Sequence, residues 1–208
     1  MDHRHVFELS TAARKTGLEQ LNICVWNKTN AGMGSFYRSK HELIFVLRKP
    51  GAAHLNTVEL GRYGRYRTNV WDYAGVNTFG RHRMQELSSH PTVKPVALVI
   101  DAIKDCTRRG ERVLDAFCGS GTTLIAAERA GRVGYGIELD PLYVDVAVRR
   151  WQALTGQAAL HEASGATFAE RATNPELGEG GSVAMRAAPG RSSATMQPGM
   201  VMGEGSHV

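Results

Sequence analysis

Apolar and polar positions are spaced differently in successive stretches of the chain, and each spacing predicts its own elements. Between Asn22 and Lys49 the pattern reads strand, loop, strand. Leu21-Asn22-Ile23-Cys24-Val25-Trp26 is rich in strand-forming residues and stops at the polar cluster Asn27-Lys28-Thr29-Asn30. Ala31-Gly32-Met33-Gly34-Ser35 predicts a flexible loop. Leu43-Ile44-Phe45-Val46-Leu47 is a short continuous apolar run closed by Pro50-Gly51, the pattern of a strand covered on both faces. From Gly51 to Ser89 no period stands out. From His90 to about Leu160 the pattern alternates helix, strand, helix, strand, helix, which predicts a parallel α/β sheet. Beyond about Ser164 the chain is rich in Gly, Ala, Ser and Met and reads as a disordered tail.

Composition narrows the class without choosing a function. The 208 residues suffice for one ordinary domain with a sizeable core, and 42% hydrophobic with 22% charged residues is a normal globular balance. No apolar run reaches the roughly 18 residues that a membrane span needs, so no membrane partner is expected. The opening Met1-Asp2-His3-Arg4-His5 has no apolar signal core behind it. Cys24, Cys106 and Cys118 lie far apart and form neither a metal-type pair nor a disulfide framework, so a reducing cytoplasm is the expected location and no metal ligands are assigned. A net charge of +5 is compatible with a polyanionic partner and equally with many other enzymes.

The chemistry-bearing signal lies in Val113-Leu114-Asp115-Ala116-Phe117-Cys118-Gly119-Ser120-Gly121-Thr122-Thr123-Leu124. An apolar strand ends at an acidic residue, turns through two glycines and opens a helix. Gly119 and Gly121 permit close backbone approach to a ligand, and the helix N-terminus offers N–H groups to an anionic ligand group. The next strand, Val133-Gly134-Tyr135-Gly136-Ile137, ends at Glu138, nineteen residues after Gly119. At that spacing a carboxylate at the second strand tip takes a pair of ribose hydroxyls. A dinucleotide fingerprint would need a third glycine where Leu124 stands. The plain alternative is a nonspecific glycine turn. Asp140-Pro141 reads as a helix start, ahead of an apolar stripe of Val144, Val148, Trp151 and Leu154.

Asp115-Ala116-Phe117-Cys118-Gly119-Ser120-Gly121-Thr122-Thr123 resembles the S-adenosylmethionine loop of the DNA adenine-N6 and cytosine-N4 methyltransferases. That family usually has proline where Ala116 stands. Upstream, His90-Pro91-Thr92-Val93-Lys94-Pro95 leads into a helix with apolar positions at 96, 99, 100 and 103, and the same family carries H-P-T-x-K-P just before its glycine loop. Val25-Trp26-Asn27-Lys28 and His41-Glu42-Leu43 resemble its W-x-K and H-E blocks, and Arg65-Tyr66-Arg67-Thr68-Asn69-Val70-Trp71-Asp72 continues the match. The resemblance covers roughly residues 1–160 and is nearest to phage- and plasmid-type adenine-specific members.

The resemblance implies an α/β, Rossmann-like sheet, S-adenosylmethionine as cofactor, and cofactor contacts from Thr92, Lys94, Pro95, Asp115, Phe117, Gly119, Gly121, Thr122 and Glu138. It implies double-stranded DNA as partner, with Arg62, Arg65 and Arg67 in a basic-aromatic stretch that contacts it; a solvated basic loop over core aromatics is the plain alternative. It also exposes a gap. The family's catalytic D/N/S-P-P-Y/F stands several dozen residues before the W-x-K strand, and only 25 residues precede Trp26 here, none of which spell it. Asp140-Pro141-Leu142-Tyr143 lies in the wrong place to serve. No catalytic residue is therefore expected in this chain. Met1 reads as an internal start or truncation point, with the sheet incomplete at its N-terminal catalytic part, leaving an unpaired strand edge and exposed apolar surface. The expected organisation is residues 1–50 as the remainder of a catalytic subdomain, 51–89 as target-recognition region, 90–162 as the cofactor-binding part and 163–208 as the tail. The expected function is methyl transfer to adenine N6 in DNA by a fragment needing the missing segment or a second subunit. The alternatives are cytosine-N4 specificity, an inactive DNA- or cofactor-binding remnant, or a small-molecule or RNA methyltransferase.

Overall fold

The structure is a computed structural model that describes residues 3–32, 35–51, 53–62, 66–75, 94–173 and 202–203. The chain divides into two compact units, Met1–Met84 and Gln85–Val208. No helix among the described residues is long and apolar enough to cross a membrane.

In the first unit, a 3-10 turn at His3–His5 leads into α1 (Val6–Lys15). Glu8 in its first turn and Arg14 and Lys15 in its last suit the helix dipole, and Gly17 at φ 73° follows its end. Strands β1 (Glu19–Asn27) and β2 (His41–Arg48) pair antiparallel from Glu19↔Arg48 to Asn27↔His41, with an irregularity between Gln20 and Asn22. This is the expected strand–loop–strand. The expectation that Leu43–Leu47 is covered on both faces needs correcting: these residues are half-buried throughout. β2 pairs only with β1 among the described residues, so less of it is covered than a central strand would have. A third strand, β3 (Val70–Asp72), lies parallel to β1 in the register Val25↔Val70 to Asn27↔Asp72, giving the order β2-β1-β3. Part of the stretch 51–89 thus belongs to the same sheet as the segment before it.

The second unit alternates as the sequence predicts: α2 (Val96–Cys106), β4 (Arg112–Asp115), α3 (Thr122–Ala130), β5 (Val133–Ile137) and α4 (Pro141–Thr155). β4 and β5 are parallel from Arg112↔Val133 to Asp115↔Gly136, and the two-residue β6 (Met202–Gly203) adds a parallel partner to β5. Local chemistry sets the boundaries. Pro95 stands at the N-cap of α2, Gly121 and Gly131 flank α3 in left-handed conformations, and Gly156 ends α4 the same way. Asp140 caps α4, accepting from the Leu142 amide at 2.9 Å, with Pro141 in first position.

Two apolar clusters make the core. Ile103, Ala126, Ala127 and Ala130 pack with Val96, Val99, Ile100 and Val113. Cys118, Leu124, Ile125, Val144, Ala147, Val148, Trp151 and Ala159 form the other. Among the described residues β4 pairs with β5 alone, and Leu114, on the face opposite Val113, is 65% exposed.

Order continues past residue 162, correcting the expected start of the disordered tail. Leu160 bridges to Thr167, and a final helix, α5 (Phe168–Thr173), packs Phe168 on the second core cluster. Thr167 and Glu170 make a reciprocal capping box: the Thr167 amide donates to Glu170 Oε2 at 2.7 Å and the Glu170 amide to Thr167 Oγ1 at 3.2 Å. Residues 174–201 and 204–208 lie outside the described residues.

Candidate functional site

Strand β4 delivers Asp115 and strand β5 delivers Glu138 to the same end of a parallel pair, the carboxyl end, where open α/β sheets bind ligands. Between Asp115 and α3 the loop 116–121 is held from every side. Asp115 Oδ1 accepts from the Phe117 amide at 3.0 Å, and its Oδ2 accepts from Thr123 Oγ1 at 2.6 Å, closing the loop onto the first turn of α3. Cys118 donates its amide to Ile137 O at 2.9 Å, tying the loop to the end of β5. From α4, Arg150 Nη1 donates to Ser120 O at 2.6 Å and to Ser120 Oγ at 2.9 Å.

Glu138 is the hub. Its Oε2 accepts from the Gly119 amide at 2.6 Å, and its Oε1 accepts from the Leu139 and Asp140 amides at 3.0 Å each. The carboxylate is therefore fixed in place by three backbone donors before any ligand arrives, and such bonds to a charged acceptor are the strong kind. The loop amides of Phe117, Cys118, Gly119 and Gly121 all donate within the protein. The loop is thus a preformed wall.

The glycines have separable reasons. Gly119 (φ 51°) and Gly121 (φ 79°) both adopt left-handed backbone. A side chain on Gly121 would in addition meet Ala147 Cβ of α4 at 2.7 Å, so close helix packing demands this glycine, not only approach to a ligand. Gly136 faces Cys118, whose Sγ would lie 2.6 Å from an added Cβ. Burial first, then the carboxylates of Asp115 and Glu138, push the Cys118 thiol up to about 12, so it stays protonated and packs as an apolar side chain.

Apolar groups stand uncovered beside this wall. Phe117 is 92% exposed on the loop after β4, and Leu139 and Leu142 are exposed after β5. Exposed Ile137, Leu139 and Leu142 were not picked out by sequence reasoning; their exposure depends on the tertiary fold and leaves no mark in local spacing. Of the residues expected to line a cofactor pocket, Asp115, Phe117, Gly119, Gly121 and Glu138 are brought together. Thr122 is the buried first residue of α3. Lys94 and Pro95 precede α2 directly, while Thr92 lies outside the described residues.

In the first unit, the W-x-K and H-E blocks meet. Lys28 Nζ donates to Glu42 Oε1 at 2.6 Å and sits 4.8 Å over the Trp26 ring. Trp26 is buried and donates Nε1–H to Tyr73 O at 2.8 Å, and Asn27 Nδ2 donates to Asp72 Oδ1 at 2.6 Å. Of the arginines expected to contact DNA, Arg67 stacks 4.7 Å over the Trp71 ring. Arg62 is exposed, 3.7 Å from Glu59. Arg65 lies outside the described residues. Among the described residues no three His, Cys, Asp or Glu side chains gather as a metal site.

Comparison with known proteins adds to this geometry. The family model for DNA methylases of the N6/N4 type matches residues 1–149. The Type II methyltransferase M2.DpnII of Streptococcus pneumoniae is 29% identical over 157 residues, covering 72% of this chain and 57% of that protein. M.ScaI of Streptomyces caespitosus is 33% identical over 112 residues, 51% of this chain and 37% of that one. The chain thus spans about half the length of these relatives. Among solved structures, a DNA modification methylase from Thermus thermophilus complexed with S-adenosyl-L-methionine superposes with a TM-score of 0.53 at 28% identity, over 77% of this chain and 61% of that one.

Proposed function

The chain belongs to the DNA methylase family, and on that premise we propose that it forms the cofactor-binding and DNA-contacting part of an S-adenosylmethionine-dependent methyltransferase acting on adenine N6 in DNA. The observation that carries the proposal is the fixed Glu138 carboxylate beside the Gly119 turn at the carboxyl end of β4 and β5. A ligand with a vicinal diol, a flat heterocycle and a charged amino-acid end fits such a site. Glu138 takes the diol, exposed Phe117, Leu139 and Leu142 offer apolar surface to the heterocycle, and Thr92, Lys94, Pro95, Asp115 and Thr122 are assigned to the amino-acid end. Bound S-adenosylmethionine supplies a methyl group activated by its sulfonium.

No residue of this chain is assigned to hold the target amine. Asp140, the only aspartate followed by proline, spends its side chain capping α4. In this reading the acceptors that align the amine come from a segment outside this sequence or from a second subunit, and the location is the cytoplasm. Adenine N6 rather than cytosine N4 follows from resemblance to adenine-specific members.

A second reading, a module that binds cofactor and DNA without turnover, is favoured by that same capping role of Asp140. Calorimetric titration with S-adenosylmethionine tests the cofactor site, and Glu138→Ala should weaken binding. Methyl transfer from labelled cofactor to DNA, followed by nucleoside analysis, tests the rest. N6-methyladenine formed only when the upstream segment is supplied supports the first reading. DNA binding with no incorporation under either condition supports the second, and N4-methylcytosine overturns the assigned base.

A further inference from the structure

We propose that Arg150 is a positioning residue for cofactor binding: through Ser120 it holds the turn that receives the amino-acid end of S-adenosylmethionine at a set distance from Glu138, which takes the diol. The inference rests on the cofactor reading above and adds to it a residue that acts on the loop, not on the ligand.

The two ends of the site have different supports. Glu138 is fixed by three backbone amides next to it in space. The other end, Ser120 to Thr122, lies where loop becomes helix, and its central residue, Gly121, has φ 79°. A glycine there is the most permissive point of a backbone, so a fixed shape needs support from outside the loop. Helix α4 gives that support at two adjacent loop residues. A Cβ on Gly121 would lie 2.7 Å from Ala147 Cβ. Arg150 Nη1 donates to Ser120 O at 2.6 Å and to Ser120 Oγ at 2.9 Å. Ala147 and Arg150 are three residues apart and so share a face of α4. Ala147 limits how closely the turn can approach the helix, and Arg150 is the tether that stops it leaving. Ser120 is only 4% exposed, so water is poorly placed to replace the guanidinium if it is removed.

The same helix also reaches the diol end. Asp140, its N-cap, donates its amide to Glu138 Oε1 at 3.0 Å, and Arg150 follows about three turns later. One rigid element therefore touches both ends of the site. The diol and the amino-acid group of the cofactor are joined covalently, so their receivers must be held at a matching separation. Arg149 is a built-in control. It carries the same charge on the same helix, yet it pairs with Asp145 at 3.2 Å and lies 5.1 Å over the Phe168 ring.

The test uses the full chain and two ligands, S-adenosylmethionine and 5′-methylthioadenosine, which has the same diol and heterocycle and lacks the amino-acid end. Titration calorimetry is run well below each variant's melting temperature. Arg150→Gln should weaken S-adenosylmethionine binding by about ten-fold and leave 5′-methylthioadenosine within about two-fold of the wild type. Arg150→Lys, which keeps the charge and one donor, should fall between, and Arg149→Gln should match the wild type. If Arg150→Gln does not fold, Arg150→Lys carries the same comparison. If 5′-methylthioadenosine binds too weakly to titrate, the order of the three variants on S-adenosylmethionine decides. Equal losses on both ligands, a loss on neither, or an equal loss in Arg149→Gln overturns the positioning role and leaves the cofactor reading standing. A wild-type chain that binds neither ligand overturns the cofactor reading, and the role of Arg150 with it.

Discussion

The Gly119 amide donates to Glu138 Oε2 across 2.6 Å, joining the turn after β4 to the tip of β5. With the Leu139 and Asp140 amides on Oε1, the carboxylate holds the loop together and, in the function proposed above, also receives the cofactor's diol. Removing it should therefore act twice. Hydrogen bonds to a charged group contribute roughly 1.5–3 kcal/mol, so Glu138→Ala should weaken S-adenosylmethionine binding by about 10- to 100-fold. It should also lower the unfolding free energy by about 1–3 kcal/mol, since three amides lose their acceptor. Titration calorimetry well below the melting temperature separates the two effects. Unchanged affinity in a folded variant would count against the cofactor assignment.

Gly136 and Cys118 make a second pair whose coupling can be measured. A methyl on Gly136 would lie 2.6 Å from Cys118 Sγ and 3.1 Å from its Cβ. Cys118 is buried in the core cluster and has little room to yield. Gly136→Ala should destabilise by about 1–3 kcal/mol through overpacking. Adding Cys118→Ala removes the nearer atom and leaves the 3.1 Å contact. The double variant should therefore be less destabilised than the sum of the two single changes. Urea unfolding of all four proteins gives the coupling energy; strict additivity would mean that the contact is not the cause.

What was legible in the sequence was local in origin. Asp140-Pro141 marks the start of α4 because an N-cap and a proline act within one turn. The spacing of Gly119 and Glu138 survives because one strand–helix–strand unit has a fixed length. β3 was not legible: Val70–Asp72 is three residues long and is a strand only because β1 offers it an edge. The Thr167–Glu170 capping box was written in the sequence but hidden by the glycine- and alanine-rich composition around it. The second reason for Gly121 was beyond reach, since Ala147 lies 26 residues away on another helix. The same holds for Arg150, whose hold on Ser120 spans 30 residues.

Stability should fall in alkali, with Cys118 as one cause. Its thiol is pushed from an ordinary 9.0 up to about 12 in the fold. Between those values the unfolded chain gains by releasing the proton and the folded chain does not. The contribution of Cys118 is thus fully present below pH 9.0 and is lost as pH rises toward about 12. The slope is about 1.4 kcal/mol per pH unit at most. Other groups titrate in that range, so the difference between wild type and Cys118→Ala is the quantity to follow by urea unfolding. The gap between the two curves should shift steadily in favour of the variant as pH rises. A gap that does not change with pH would show that the thiol ionises equally readily in both states.

Arg132 is a buried charge held by a fork of hydrogen bonds. It follows Gly131 at the end of α3 and is only 6% exposed. Its guanidinium donates from Nε to Thr107 Oγ1 at 3.0 Å, from Nη2 to Thr107 O at 2.6 Å, and from Nη1 to Ala130 O. One planar fork thus ties the residue that ends α2 to the last turn of α3, and it satisfies carbonyls that the helix leaves over. Arg132→Met keeps much of the buried apolar volume and removes all three donors. It should cost about 2–4 kcal/mol, in line with hydrogen bonds from a charged group and acceptors left without one. Arg132→Lys keeps the charge and loses the fork, so it should fall between the two. Thr107→Ala removes one acceptor of Arg132 and the hydroxyl's own bond to Ile103 O at 2.5 Å, but it leaves the Thr107 carbonyl and the other two guanidinium bonds in place, so it should cost less than Arg132→Met. Urea unfolding of the three variants checks the ranking. Arg132→Met as stable as Thr107→Ala would mean that the guanidinium adds nothing beyond its contact with the Thr107 hydroxyl.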